Sequence, residues 1–157
     1  MGRRTTTPHG ASGSINAADY LQASLDHAAS LTVLYTGRHY ALTIYVSGLA
    51  AECLFRAFRA RRGMPFRSDH PLESLAKEAG FPDLVSAGQR ERFGEALSNL
   101  IVRWRNSHRF RSNAAARRFL KDLKLDRGIT GDFLKENARI LFSGATELIN
   151  LGVVKWR

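Results

Sequence analysis

Residues 102–110, VRWRNSHRF, contain an arginine and a histidine separated by four residues. Arginine keeps its positive charge at all ordinary pH values and presents planar donors that suit phosphate. Histidine is the side chain whose ordinary pKa suits proton transfer near neutrality. Arg103 and His108 are therefore candidate catalytic residues for chemistry that combines proton transfer with stabilisation of a negative charge.

The helix that carries this pair must end for the two side chains to converge. Residues five positions apart on an unbroken helix point about 140° apart. Asn106 and Ser107 are poor residues for a helix interior, because their side chains compete for backbone hydrogen bonds. We expect the helix to loosen around residues 105–107, and we assign Asn106 and Ser107 supporting roles in the site.

Three further arginines, Arg105, Arg109 and Arg111, flank the pair, and the whole chain carries a net charge of +10. A basic chain of this size attracts polyanions in a salt-dependent way. The flanking arginines either guide an RNA backbone into the cleft or form a solvated loop, and both interpretations fit the sequence.

Apolar spacing predicts helices along most of the chain. The first is expected from Ala17 to about Tyr35 and the second from about His39 to Arg61, with Leu42 on its inner stripe. A short helix is expected from Pro71 to Ala79, ended by Gly80-Phe81-Pro82. The clearest amphipathic segment extends from Ser86 to about Trp104. A short helix near residues 114–120 and a last helix from Thr130 or Gly131 complete the pattern.

These elements predict an all-α fold, an up-down bundle of four to five helices. Residues 1–16 are predicted to be a disordered basic tail, and residues 17–157 one helical domain. No membrane segment and no secretory signal are recognisable, so we expect a cytoplasmic protein. The lone Cys53 lies among apolar residues and is interpreted as a small buried hydrophobe. We expect no metal and no cofactor, since no Cys/His cluster or glycine-rich phosphate loop is present.

Three motifs together resemble the HEPN family (higher eukaryotes and prokaryotes nucleotide-binding). The first is the Arg-x4-His spacing of Arg103 and His108 at the end of a bundle helix. The second is AAECLFR at residues 50–56, which is similar to the AAExxLK run of the family's second helix. The third is the loop GMPFRSDHPL at residues 63–72, with its histidine before the next helix. The resemblance covers about residues 17–152.

The resemblance implies a metal-independent endoribonuclease, often a toxin paired with an antitoxin protein or a component of phage defence. One chain supplies a single Arg-x4-His motif, so a homodimer is expected to bring two copies into one composite cleft. Glu52 matches the family's acidic position, where it either holds Arg103 or His108 or pairs with Arg56. Arg56 replaces the usual lysine and is expected to be structural or RNA-facing.

The residue after the signature arginine departs from the family pattern. It is usually polar, and here it is Trp104. Trp104 either continues the apolar stripe into the core or stacks on a base. The alternative function is therefore a non-catalytic HEPN module that binds nucleotide, RNA or a protein partner.

Overall fold

The computed structural model describes residues 15–157, and within that range the chain forms seven α-helices and no β-strand. The helices are α1 Ala17–Thr36, α2 Tyr40–Arg61, α3 Leu72–Glu78, α4 Phe81–Leu84, α5 Arg90–Arg103, α6 Asn113–Asp122 and α7 Phe133–Trp156. The predicted all-α class is confirmed. The predicted tail spans residues 1–16, of which 1–14 lie outside the described residues.

Helices α1 and α2 form a hairpin, because only residues 37–39 separate them. Asn16 begins α1 with a reciprocal cap, in which its side chain accepts from the Asp19 backbone and Asp19 accepts from the Asn16 backbone. Ser24 of α1 donates to the carbonyl oxygen of Ala50 at 2.7 Å, and this buried bond fixes α1 against α2.

Helix α2 is the centre of the fold, with α1, α3 and α7 packed around it. Its residues from Ala50 to Arg59 are all buried, including Glu52, Arg56 and Arg59. The predicted inward position of Leu42 is wrong, because that side chain is exposed. Among the described residues α2 is long and apolar enough to cross a membrane, yet 83% of its apolar window is buried inside the fold, as in the core helix of a soluble protein.

Helices α5 and α7 pack closely along their length. A methyl group at Gly144 of α7 would lie 3.3 Å from the carbonyl oxygen of Ala96 in α5, so the small residue permits the approach. Phe93, Ala96 and Leu100 form the buried stripe of α5 that the spacing predicts. This pairing holds the end of α5, and with it the Arg-x4-His segment, against the bundle.

Several predicted boundaries are corrected. The chain has more than four to five helices, because the turn expected at residues 80–82 begins the extra helix α4, with Gly80 at a φ of 69° and Pro82 in the first turn. The helix expected from Ser86 starts at Arg90, after a 3₁₀ turn at Ala87–Gln89. The last helix starts at Phe133 instead of Thr130 or Gly131, because the Asp132 side chain caps it.

Candidate functional site

The Arg-x4-His segment begins where α5 ends. Trp104 and Arg105 have extended backbones, and a 3₁₀ turn at Asn106–Phe110 follows. The helix therefore breaks immediately after Arg103, slightly earlier than expected. His108 lies inside the turn, and α6 starts at Asn113 after Ser112, whose hydroxyl accepts from the Ala115 backbone.

Arg103 is held by two side-chain amides. Its Nε donates to Oδ1 of Asn137 at 2.8 Å, and its Nη1 donates to Oδ1 of Asn99 at 2.7 Å. Asn137 is fully buried in α7 and donates to the carbonyl oxygens of Leu125 and Phe133. Burial lowers the pKa of Arg103, although a guanidinium keeps its charge at neutral pH. Arg103 is thus a fixed positive charge without a carboxylate partner among residues 15–157.

His108 is almost completely buried, with 3% of its surface exposed. Its Nδ1 accepts from the backbone N–H of Arg105 at 3.1 Å, so the neutral ring carries its proton on Nε2. The ring also packs edge-on against Phe119 of α6, with centroids 4.9 Å apart. Burial, followed by the charges of Arg111 and Arg105, lowers the pKa of His108 to about 4. His108 is therefore neutral at pH 7.

Trp104 belongs to the core. It is 4% exposed, and its indole Nε1 donates to the carbonyl oxygen of Tyr45 at 3.0 Å. A Cβ at Gly48 of α2 would lie 2.1 Å from the indole, so only glycine leaves room for the ring. Of the two roles that the sequence left open, the buried position supports the core role and leaves no exposed ring for a base.

Glu52 contacts neither Arg103 nor His108 among the described hydrogen bonds and ion pairs. It accepts from Arg56 Nε at 2.7 Å and from His70 Nδ1 at 2.7 Å. Arg56 also donates to the carbonyl oxygens of Arg67 and Asp69. Arg56 is buried and its bonds join α2 to the loop that follows, so of the two roles that the sequence left open these contacts support the structural one.

The flanking arginines lie over aromatic rings. The guanidinium carbon of Arg111 is 4.1 Å from the ring centroid of Phe119, and that of Arg109 is 4.6 Å from the ring of Phe110. Arg105 lies 6.0 Å from the Phe119 ring and donates to the carbonyl oxygens of Ile101 and Trp104. Phe110 is 79% exposed. We call Arg105, Arg109, Phe110, Arg111 and Phe119 the basic aromatic surface.

Helix α6 extends the same chemistry. Arg117 and Lys121 both lie over the ring of Phe133, at 5.3 and 5.8 Å from its centroid. Arg117 also pairs with Asp132 at 2.8 Å. These two cations of α6 therefore lie on the side of the helix that faces Phe133.

A groove of about 310 Å³ lies beside the segment, lined by Arg105, Asn106 and Trp104 on one side and by residues 70–73 on the other. Asn106 is half-buried there, whereas Ser107 is exposed and its hydroxyl accepts from Arg111 at 3.4 Å. Neither Arg103 nor His108 lines this groove. Within one chain Arg103 is tied to α7 and His108 to α6, so no shared cleft between them is formed by these contacts.

No group of three or more His, Cys, Asp or Glu side chains within residues 15–157 has the arrangement of a metal site. Cys53 is buried as expected, and burial together with the charge of Glu52 raises the pKa of its thiol to about 11. A thiol in this environment stays protonated at neutral pH and is a poor nucleophile.

Comparisons with protein-family models, with curated proteins and with solved structures found no match to this chain. The resemblance to HEPN proteins accordingly depends on the three sequence motifs. Sequence reasoning did not identify Asn99, Asn137 and Phe119, which contact the motif directly. Asn137 had a detectable signal, because it falls one position before Ala138 on the inward stripe of α7, where a polar residue needs a buried partner.

Proposed function

We propose that this chain is an HEPN-like helical domain that binds RNA through the basic aromatic surface. The observation that carries the proposal is the placement of Arg109 and Arg111 over phenylalanine rings at the rim of the Arg-x4-His segment. Arginine recognises phosphate, and an aromatic ring offers a platform for an unpaired base. The combination fits a single-stranded polyanion better than it fits an acidic protein.

Charge and exposure support the same proposal. Phe110 is largely exposed beside the Arg109 guanidinium, so its ring is available for a base to stack on. The net charge of +10 attracts a polyanion to the molecule, and the basic aromatic surface then provides its binding site. RNA is favoured over DNA by the resemblance to a family that acts on RNA.

Binding of a labelled single-stranded RNA, measured by fluorescence anisotropy between about 50 and 300 mM salt, tests the proposal. The affinity of the wild type should fall steeply with salt. Phe110→Ala should weaken binding about tenfold, since stacking contributes roughly 1–3 kcal/mol per base. Phe66→Ala is the matched control, because Phe66 is 73% exposed and also lies beneath an arginine, Arg56, but lines a different cavity near the start of α1. Equal effects of the two variants would contradict a specific surface.

A charge-matched pair completes the design. Arg109→Gln and Arg90→Gln remove the same charge, but Arg90 is the exposed first residue of α5, about 20 Å along the helix from its end. Arg109→Gln should reduce both the affinity and its salt dependence, while Arg90→Gln should change them little. If both variants weaken binding equally, only the net charge matters and the proposed surface is wrong.

The second candidate function is metal-independent RNA cleavage by Arg103 and His108, as in a toxin or defence nuclease. Arg103 favours it, because its charge is oriented by Asn99 and Asn137 and is not neutralised by a carboxylate. A homodimer would have to bring two motifs together, and an antitoxin protein would be the expected partner. At pH 7 the low pKa of His108 leaves the ring neutral, and its lone pair on Nδ1 accepts from the Arg105 backbone, so acting as a base would require that hydrogen bond to open.

Cleavage of total RNA in the presence of EDTA by wild type and His108→Asn separates the two candidate functions. Asparagine keeps an acceptor for the Arg105 backbone but removes the titrating ring. Cutting by wild type alone would support the nuclease, whereas RNA binding without cutting in both proteins would support the binding module.

A further inference from the structure

His70 and Glu52 form a second histidine site beside the basic aromatic surface. Glu52 is 3% exposed, and its two carboxylate oxygens lie 2.7 and 2.8 Å from Nδ1 of His70. A carboxylate at Nδ1 fixes the neutral ring as the Nδ1–H tautomer, so Nε2 carries the lone pair. Glu52 therefore holds the His70 ring in one orientation, with Nε2 as the basic nitrogen.

Nε2 is the second ring nitrogen of His70. It has no hydrogen-bond partner among residues 15–157, and every fully buried side-chain nitrogen or oxygen there has one. The His70 side chain is 36% exposed and lines the 310 Å³ groove together with Arg105 and Asn106. The lone pair is thus accessible at the point where the groove meets the basic aromatic surface.

The two histidines differ in what they can do. His108 is buried, its Nδ1 is occupied by a backbone N–H, and its charged form is strongly disfavoured. His70 has a buried carboxylate on one nitrogen and an accessible second nitrogen. A buried carboxylate stabilises the imidazolium that forms when a histidine accepts a proton, which is the arrangement a general base needs.

We propose that His70 is a general base that activates the 2′-hydroxyl of an RNA strand bound in this groove, with Glu52 as its positioning residue. The inference rests on the proposed RNA binding, because Arg105 and Asn106 must hold the phosphodiester beside His70. Leu72, Glu73 and Ile101 also line the groove.

The step is an internal transphosphorylation. The 2′-hydroxyl gives its proton to Nε2 of His70, and the 2′-oxygen forms a bond to phosphorus. The bond from phosphorus to the 5′-oxygen breaks, and that oxygen takes a proton from water or from the imidazolium. The products are a 2′,3′-cyclic phosphate and a 5′-hydroxyl, so the reaction consumes no co-reactant. Arg105 lines the same groove and would supply the positive charge that neutralises the phosphate.

The test uses an end-labelled DNA oligonucleotide that contains one ribonucleotide, with an all-deoxy oligonucleotide as control and EDTA throughout. Wild type should cut only the first substrate and leave a cyclic phosphate. His70→Asn retains a donor toward Glu52 but lacks Nε2, so its cleavage rate should fall by at least about 100-fold while RNA affinity is unchanged. His39→Gln, at an exposed histidine that does not line the groove, should retain the wild-type cleavage rate.

Glu52→Gln provides a second readout for the positioning role. It should lower kcat with little change in KM, and its thermal unfolding is measured alongside because Glu52 also pairs with Arg56. RNA binding without any cleavage by wild type would overturn this inference and leave the proposed RNA binding intact. Cleavage by His70→Asn at the wild-type rate would overturn it as well. Absence of RNA binding would contradict the proposed function itself.

Discussion

The imidazole of His108 loses nearly all contact with water in the folded chain, and Arg105 and Arg111 lie close enough to repel a proton from it. A neutral ring there accepts the Arg105 backbone N–H and packs on Phe119. Protonation would remove that acceptor and bury a charge beside two others. The ring therefore acts first as a structural clamp between the 3₁₀ turn and α6.

This environment makes the stability of the fold depend on pH. The folded-state pKa of about 4 lies below the ordinary 6.5, so the unfolded chain binds the extra proton between these values. The free energy of unfolding should therefore fall as the pH is lowered from about 7 toward 4. Below about pH 4, His108 should cause no further loss. In urea unfolding at about pH 7 and pH 5, His108→Asn should lose less stability than wild type.

His39→Gln is the control for that measurement, since His39 is exposed at the start of α2. It should follow the wild-type pH dependence. Parallel pH profiles for wild type and His108→Asn would show that burial does not depress the pKa of this histidine.

Asn137 determines whether Arg103 has a fixed orientation. Asn137→Ala removes the acceptor of Arg103 Nε and the side-chain donor to the carbonyl oxygens of Leu125 and Phe133. We expect a loss of about 1–3 kcal/mol in the free energy of unfolding, the usual cost of buried polar groups left unpaired. Asn150→Ala on the exposed side of α7 should change it by less than about 0.5 kcal/mol. Equal effects in chemical denaturation would mean that Arg103 is not held by α7.

At the scale of elements, α2 links the two histidine sites. Trp104 packs against Gly48 of α2. Glu52, one turn later in the same helix, binds His70. The position of the Arg-x4-His segment therefore depends on the fit between one indole and one glycine. That fit also fixes Arg105, the next residue, at the rim of the groove.

Gly48→Ala tests this dependence. The added methyl group would overlap the indole of Trp104, so we expect a loss of about 1–3 kcal/mol in stability, as for other overpacked cores. Gly94→Ala in α5 meets nothing within 4 Å and should stabilise the helix by about 0.5–1 kcal/mol. Thermal unfolding of both variants measures the difference. Stabilisation by Gly48→Ala would contradict the described contact.

The long helices were predictable because apolar residues recur over many turns in α2, α5 and α7. Helix α4 was not predictable, because four residues are too few to show a periodic pattern. A proline such as Pro82 is also more typical of a turn. The contact between Glu52 and His70 could not be predicted either. The two residues are 18 positions apart, and they meet only because of the conformation of the loop between them. Local spacing revealed the motif but not the burial of His108, which depends on α6.

At the scale of the whole molecule, a strongly basic chain carries two arginine–phenylalanine contacts, Arg109–Phe110 and Arg111–Phe119, at one segment and the helix beside it. The proposed homodimer would double this surface and bring a second groove to the same assembly. RNA binding requires only the surface, whereas cleavage requires in addition that a histidine reach the 2′-hydroxyl. The two properties are therefore separable by variants on the two sides of the groove.

The most direct test of the RNA-binding surface is a titration of the isotope-labelled full chain with a single-stranded RNA of about ten nucleotides, followed by amide NMR. We expect the shifted signals to concentrate in residues 105–121, with smaller changes around His70. Shifts spread over the molecule in proportion to charge, or confined to the cavity near the start of α1, would contradict it.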